Sequence, residues 1–244
     1  MGVQYPILGA PGAITPRRAT PLQIFEGRGI YLSAPGGVYI DGSLSRDWGN
    51  TGDLGNLRCG LLMGKITTGK KYAPTILGVT TGTSSANGTP YTSGGTSICV
   101  APAAAVEIVR RIGSTGNLTY VGPPTANGTN AVLSTIAYSA VNQTSGVITT
   151  STLGADLVVG GLVTSTDGSG LPKTFIGDGW PTRVLDADGA SVSSVQWSTC
   201  SIAGTLLAAN LINWPTDTSI QAWIISNLNG PAGGQFIFTD YVYH

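Results

Sequence analysis

Carboxylates beside glycines are the side chains of this sequence that could do acid–base chemistry. The chain carries 12 acidic residues, and half of them lie in glycine-rich segments: Asp41, Asp53, Asp167, Asp178, Asp186 and Asp188. Two carboxylates facing each other across a cleft would suit glycoside hydrolysis. Short acidic side chains next to glycine more often bond the local backbone in turns. We therefore predict turn roles for these aspartates and keep a polysaccharide-degrading enzyme as an alternative.

Nucleophilic catalysis finds few candidate residues. The one histidine is His244, so a Ser-His-Asp or Cys-His arrangement would have to use an imidazole at the end of the chain. The two glutamates are Glu26 and Glu107. We predict Glu107 on the solvent face of a helix, beside Arg110 and Arg111. The sequence therefore predicts a protein that is not an enzyme.

Two segments imitate ligand-binding loops without completing them. Residues 64–71, GKITTGKK, approach the phosphate-binding pattern GxxxxGK[ST], but Lys71 replaces the hydroxyl that would bind magnesium. Tyr72-Ala73-Pro74, which follow, cannot open a helix whose N-terminus would cradle phosphate. Asp186 and Asp188 have the spacing that opens a calcium loop, yet no third ligand and no closing glutamate follow. We predict no metal and no cofactor.

A β-hairpin explains residues 61–77 better than a phosphate loop does. Two strand-forming runs, Leu61–Thr67 and Lys71–Leu77, are joined by Thr68-Gly69-Lys70. Gly69 can adopt the positive φ that a tight connection requires. Pro74 has no backbone N–H, so the second run should lie at a sheet edge or end its pairing there.

The hairpin sequence also resembles a known family. Residues 62–74, LMGKITTGKKYAP, look like the hairpin that recurs in head decoration proteins of tailed phages, a family similar to the capsid decoration protein of phage lambda. Residues 103–122 and 138–142 resemble a segment of longer phage structural proteins. The resemblance implies a β-tulip or barrel-like body, often trimeric, on the outer surface of the expanded capsid. It implies the major capsid protein and further copies of the chain as partners.

Composition agrees with a protein that contacts other proteins. Only 10% of the residues are charged and the net charge is zero, against about 25% charged residues in typical soluble domains. No basic patch favours nucleic acid or an anionic membrane as a partner. Cys59, Cys99 and Cys200 lie far apart in the sequence. We predict that they are buried free thiols and that the protein is made in the reducing cytoplasm of a host. No apolar run reaches the length of a membrane span.

The first 27 residues predict an extended arm. Prolines at positions 6, 11, 16 and 21 exclude a helix, and the apolar side chains between them need a surface to cover, such as a neighbouring subunit. The resemblance implies that the arm and the hairpin face the capsid or the trimer partner. The candidate interface residues are Tyr5, Ile7, Leu8, Ile14, Arg17, Arg18, Leu22, Ile24, Phe25, Lys65, Lys70, Lys71 and Tyr72.

Two segments have the periodicity of helices. In residues 102–112, Pro102 suits the first turn, and we predict an apolar stripe formed by Ala105, Val106, Ile108, Val109 and Ile112. In residues 218–228, Thr218 and Gln221 have capping-box spacing. The predicted buried stripe of this second helix consists of Ile220, Trp223, Ile224 and Leu228, with Gly230 as the stop signal.

The remaining chain predicts short strands, so the expected fold class is mainly β with minor α. We divide it into an arm (1–27), a β-rich core (28–96), a small α+β insertion (97–155) and the rest of the core with a C-terminal helix and strand (156–244). The expected function is a structural virion protein that stabilises the capsid. The alternative is a head-fibre or tail protein that binds host glycans through exposed tryptophans such as Trp48, Trp180 or Trp214.

Overall fold

The computed structural model describes residues 32–33, 38–82, 91–124, 130–177, 182–197, 200–230 and 234–238. The predicted arm lies outside these residues, as do Pro35-Gly36-Gly37 and most of the loop before Tyr91. Within the described part, the chain is mainly β with two α-helices, which confirms the predicted class.

The described residues form sixteen short strands and two α-helices. In order, the elements are β1 Leu32–Ser33, β2 Val38–Ile40, β3 Asn56–Leu57, β4 Leu62–Lys65, β5 Tyr72–Pro74, β6 Ile76–Val79, β7 Ser97–Cys99, α1 Pro102–Arg111, β8 Gly116–Gly122, β9 Val132–Val141, β10 Val147–Thr150, β11 Leu162–Ser165, β12 Pro172–Phe175, β13 Thr182–Arg183, β14 Val195–Trp197, β15 Ser201–Leu206, α2 Thr218–Leu228 and β16 Gln235–Phe238. A 3-10 turn, Ala208–Asn210, precedes α2.

The strands form four open sheets. The largest has six strands in the order β6-β11-β8-β9-β10-β7, and all its pairs are antiparallel. A five-stranded sheet has the order β12-β4-β5-β2-β14, and a three-stranded sheet has the order β1-β15-β16. The short strands β13 and β3 form the fourth. The chain passes from the five-stranded to the six-stranded sheet directly after Pro74, where β5 ends and β6 begins.

The two helices cover opposite faces of the six-stranded sheet. On β11, Val163 belongs to the hydrophobic cluster that contains Ile108 of α1. Its neighbour Leu162 belongs to the cluster that contains Ile224 of α2. Because successive side chains of a strand point to opposite faces, these clusters lie on the two sides of the sheet. A third cluster, around Ile40 and Trp197, belongs to the five-stranded sheet.

Helix α1 begins and ends where the sequence predicts, but the predicted faces need correction. Ala105 and Ile108 are fully buried, whereas Val106, placed in the predicted stripe, is 43% exposed. Glu107 and Arg111, predicted for the solvent face, are only 4% and 8% exposed. Apolar spacing did not indicate the ion pairs that allow these charges to be buried.

Helix α2 matches its predicted bounds, and its cap differs from the prediction. Asp217, not Thr218, is the N-cap, and its carboxylate accepts hydrogen bonds from the backbone N–H of Ser219 and Ile220. Gln221 donates to the Pro215 carbonyl oxygen at 2.8 Å instead of closing a capping box. Ile220, Ile224 and Leu228 are buried as predicted, but Trp223 is only partly buried.

Segment 97–155 shares its sheet with strands from both flanking regions. Strands β8, β9, β10 and β7 come from this segment, whereas β6 precedes it and β11 follows it. The hydrogen-bonded ladder of the sheet is thus continuous across the proposed boundaries. The division of the chain into a β-rich core and an insertion stays a prediction from the sequence. In the described residues, neither helix is long and apolar enough to cross a membrane.

Candidate interaction site

The predicted hairpin is formed by β4 and β5. Met63 pairs with Pro74 and Lys65 pairs with Tyr72 in an antiparallel ladder. Gly69 has a φ of 81°, as its position in the connection requires, and Lys70 also has a positive φ, 58°. β5 ends at Pro74, but its bonding to β4 continues one residue further, since the Thr75 N–H donates to the Leu62 carbonyl oxygen at 2.9 Å. β5 is also an interior strand and not an edge strand, because β2 lies on its other side.

The hairpin tip, residues 67–70, projects into solvent. All four residues of the tip are exposed, and so is Lys65 on the adjoining strand. A Cβ atom placed on Gly69 would meet no atom within 4 Å. The tip and the adjoining end of β4 therefore present one exposed lysine each, Lys70 and Lys65.

The base of the hairpin is tightly enclosed. A Cβ atom on Gly64 would lie 1.9 Å from the carbonyl oxygen of Ser169, so only glycine fits between β4 and the 167–170 turn. Thr67 N–H donates to the Asp167 carbonyl oxygen at 2.9 Å. At the end of β5, the Pro74 carbonyl oxygen accepts from Arg111 Nη1 at 2.6 Å. These contacts fix the direction in which the tip projects.

Arg111 joins helix α1, the hairpin and the 167–170 turn. Its side chain is 1% exposed, and besides Pro74 it donates to the Ser169 hydroxyl and lies 3.4 Å from Asp167 Oδ2. Burial lowers the pKa of the Arg111 guanidinium, while the charges of Asp167 and Glu107 act to raise it. A guanidinium stays charged under such shifts, so the site holds a buried positive charge.

The carboxyl group of Asp167 responds to that charge. Its burial acts to raise its pKa, but Arg111 and hydrogen bonds from Ser169 and Ser165 outweigh this effect and hold the pKa below the ordinary 3.8. Its Oδ1 accepts from the Ser169 N–H at 2.9 Å. The ionised form is therefore the form that the folded protein stabilises.

This depressed pKa predicts how Asp167→Asn changes the acid stability. A lowered folded-state pKa contributes stability that is fully present above the unfolded value, near 3.8, and is lost as the pH falls through the folded value. We expect Asp167→Asn to be less stable than the parent at pH 7 and the difference to shrink below about pH 3.8. Urea titrations at pH 7 and pH 3 measure both values. A stability difference that is equal at the two pH values would contradict the ion pair.

Lys71 and Tyr72, two candidate contact residues, are engaged within the chain. Lys71 Nζ donates to the Ser193 carbonyl oxygen at 2.7 Å and lies 3.8 Å from Asp41. The Tyr72 ring packs edge-on against Trp197, with 6.1 Å between the ring centroids. Burial raises the pKa of the Tyr72 phenol. The structure thus brings the four hairpin candidates together but leaves only Lys65 and Lys70 exposed.

The other nine candidate residues, Tyr5 to Phe25, lie outside the described residues. Their role as an arm stays a prediction from the sequence.

Asp41 and Asp186 have the local turn roles that the sequence predicts. Asp53 and Asp167 also pair with arginines distant in the chain. Asp41 accepts from the Ser43 N–H at 3.0 Å, and Asp186 accepts from Asp188 and Ala190 N–H groups at 3.0 and 2.8 Å. Among the residues that the structure describes, no three His, Cys, Asp or Glu side chains are grouped to hold a metal ion.

Sequence reasoning missed the buried charges beneath the hairpin. Glu107 accepts from Arg110 Nε and Nη2, each at 2.6 Å, and Arg110 also donates to the Ser43 carbonyl oxygen at 2.5 Å. The spacing of Glu107 and Arg110, three positions apart, is the sequence signal that indicates an ion pair on the helix surface. Its burial comes from a loop more than 60 positions earlier in the chain, which helix periodicity does not indicate.

Comparison with protein-family models, with curated proteins and with solved structures found no match. The resemblance of residues 62–74 to phage decoration proteins therefore remains a hypothesis about function.

Proposed function

We propose that this protein is a structural virion protein that binds the outer surface of the expanded phage capsid and stabilises it. The observation that carries the proposal is the hairpin of residues 62–74. Its sequence resembles the hairpin of phage decoration proteins, its tip is exposed, and its base is fixed by Gly64 and Arg111. A rigid, projecting tip loses little conformational freedom on docking, which favours binding.

The proposed partners are the major capsid protein and two further copies of this chain. The exposed Lys65 and Lys70 would contact the partner surface, and the predicted arm, residues 1–27, would add to a capsid strand. Lys71 and Tyr72 would act indirectly, by holding the hairpin against β14 and the 191–194 segment. The finer fold assignment, a β-tulip or barrel-like decoration body, belongs to the same proposal.

Capsid stabilisation would follow from mass action. A protein that binds only the expanded lattice stabilises it by RT ln(1 + [L]/Kd), or about 2.7 kcal/mol per site at a hundredfold excess over Kd. A trimer ties several capsid subunits together and gains avidity without a strong single contact. The low charge of the chain, 10% of residues, fits a surface made to contact protein.

Co-sedimentation with purified phage heads tests the proposal. We expect saturable binding to expanded heads without decoration and no binding to unexpanded proheads, because the proposed site forms only on the expanded lattice. The double variant Lys65→Ala/Lys70→Ala should bind at least roughly 10-fold more weakly, as expected when two contacts of about 1 kcal/mol each are lost. Lys173→Ala, a partly exposed lysine on β12, is the matched control. Binding to neither kind of head would refute the proposal.

A further inference from the structure

Trp223 of α2 lines two adjoining cavities on the face of the six-stranded sheet that α2 covers. The first is bounded by Asn130, Leu133 and Ser226, among others, and has a volume of about 320 Å³. The second is bounded by Thr119, Thr135 and neighbouring residues and has the same volume, about 320 Å³. Each lies at the small end of the range of ligand pockets, roughly 300–1,000 Å³. We call the two cavities together the Trp223 groove.

The Trp223 groove is neutral and rich in hydroxyl groups. None of the described residues that bound either cavity carries a charge, so an ionic ligand would find no countercharge there. Three threonines form a row across adjacent strands, since Thr119 pairs with Thr135 on one side and with Thr164 on the other. A hydroxyl both donates and accepts hydrogen bonds. The groove therefore offers uncharged partners for another hydroxyl-bearing molecule.

The indole of Trp223 provides an apolar surface within this polar lining. It packs against the α2 hydrophobic cluster and stays partly exposed. Its Nε1–H has no hydrogen-bond acceptor among the described residues. Leu133 lines the first cavity and Leu171 the second, and they are 54% and 42% exposed. Apolar surface left uncovered beside hydroxyl groups suits a ligand with both kinds of surface.

We propose that the Trp223 groove binds a neutral oligosaccharide. The C–H groups on one face of a pyranose ring carry partial positive charge and would lie on the electron-rich face of the indole. The sugar hydroxyls would exchange hydrogen bonds with Thr119, Thr135, Ser226 and the Asn130 amide. Two cavities meeting at one tryptophan fit adjacent sugar units along a chain. This inference goes beyond capsid binding and does not depend on it.

The sequence points to glycan binding through other tryptophans. Trp48 Nε1 donates to the Ile76 carbonyl oxygen at 3.0 Å, and Trp214 stacks on Phe238 with 5.9 Å between centroids. Both are tied to the core, and Trp180 lies outside the described residues. Trp223, which helix periodicity predicts to be buried, borders two open cavities.

A protein surface is the competing occupant of the groove. Stable protein interfaces bury about 800 Å² per partner, and charged residues are depleted at their core. The groove has this depletion, since none of its described lining residues is charged. The two concave, hydroxyl-lined cavities instead fit small polar rings.

Titration of the full chain with neutral trisaccharides tests the proposal. Cellotriose, maltotriose, mannotriose and chitotriose are the probes, trigalacturonate is the anionic counterpart, and calorimetry or tryptophan fluorescence gives Kd. We expect saturable binding of at least one neutral trisaccharide. Thr135→Val should weaken it by roughly 3–10-fold through the lost hydrogen bond. Thr149→Val, an equally exposed strand threonine outside the groove, should change Kd by less than about twofold.

Two substitutions of Trp223 are compared, because its indole also packs on the hydrophobic core and a single variant could lose binding through a loss of packing. Trp223→Ala should lower the affinity at least roughly 10-fold, and Trp223→Phe, which keeps an aromatic face, should lose less. Circular dichroism checks that each variant is folded. Binding by none of the neutral trisaccharides, stronger binding of trigalacturonate, or binding unchanged in Thr135→Val and Trp223→Phe overturns the proposal. Loss of head binding in Trp223→Phe, with no sugar bound by the parent, assigns the groove to a protein partner instead.

Discussion

Replacing Arg111 with alanine is expected to lower the free energy of unfolding by about 3–5 kcal/mol, because it removes both the buried partner of the Asp167 ion pair and a large packed side chain. The substitution removes the Arg111 donor from the Pro74 carbonyl oxygen and the Ser169 hydroxyl. The Asp167 carboxylate loses its countercharge and keeps the hydrogen bond from the Ser169 N–H. It also opens a cavity where the buried side chain packs. Urea denaturation followed by tryptophan fluorescence measures the loss, and an unchanged m-value confirms that folding stays two-state.

A matched surface pair provides the control for Arg111→Ala. Arg183 lies 2.9 Å from Asp53, but the two side chains are 50% and 36% exposed. Arg183→Ala should therefore cost no more than about 1 kcal/mol. Arg111→Met keeps the volume and removes only the polar contacts, so it separates the cavity from the hydrogen bonds. If Arg111→Ala costs no more than Arg183→Ala, Arg111 does not hold the hairpin base.

Local sequence signals predict the elements of this fold well. Helix α2 has its predicted bounds because an apolar stripe of period 3.6 ends at Leu228, followed by Gly230. The hairpin forms where Gly69 can adopt positive φ. Both signals depend on residues within a few positions of one another. Because local backbone preferences act over the same distance, such elements can be predicted from the sequence.

The parts of the candidate site that could not be predicted depend on distant contacts. Arg111 is buried because Asp167, 56 positions away, supplies a countercharge. Glu107 is buried under a loop that reaches α1 through Ser43. A helix pattern assigns charged residues to solvent since burying an unpaired charge is costly, and it cannot anticipate partners that tertiary structure provides.

The Trp223 groove illustrates the same limit for an apolar residue. Periodicity assigns Trp223 to the buried stripe of α2, and part of its ring does pack on that cluster. Whether the rest of the Trp223 ring is covered depends on the six-stranded sheet that faces α2. There β9 presents Leu133 and Thr135 on an exposed face, and no element among the described residues closes over them. A single-helix pattern contains no information on that opposing surface.

Deleting residues 1–27 is expected to weaken binding to expanded heads at least roughly 100-fold while leaving a folded body. The arm carries seven large apolar residues, and burying each contributes about 1.5–3 kcal/mol before the cost of ordering the chain. The described structure begins at Leu32, where β1 pairs with β15. None of the hydrogen bonds within the described residues is removed by the deletion. Co-sedimentation gives the affinity, and thermal unfolding reports on the body.

Point variants of the arm separate apolar docking from charge attraction. If the arm covers apolar pockets, Ile7→Ser/Leu8→Ser should reproduce most of the loss, and Arg17→Ala/Arg18→Ala should cost less than about 10-fold. If charge dominates, the arginine variant loses more and parent binding weakens steeply with salt. Binding of the truncated chain equal to that of the parent would exclude the arm and leave the exposed hairpin lysines, Lys65 and Lys70, as the remaining capsid contacts. The losses of binding free energy caused by the hairpin variants and by the arm variants should therefore add, and the same co-sedimentation assay measures both.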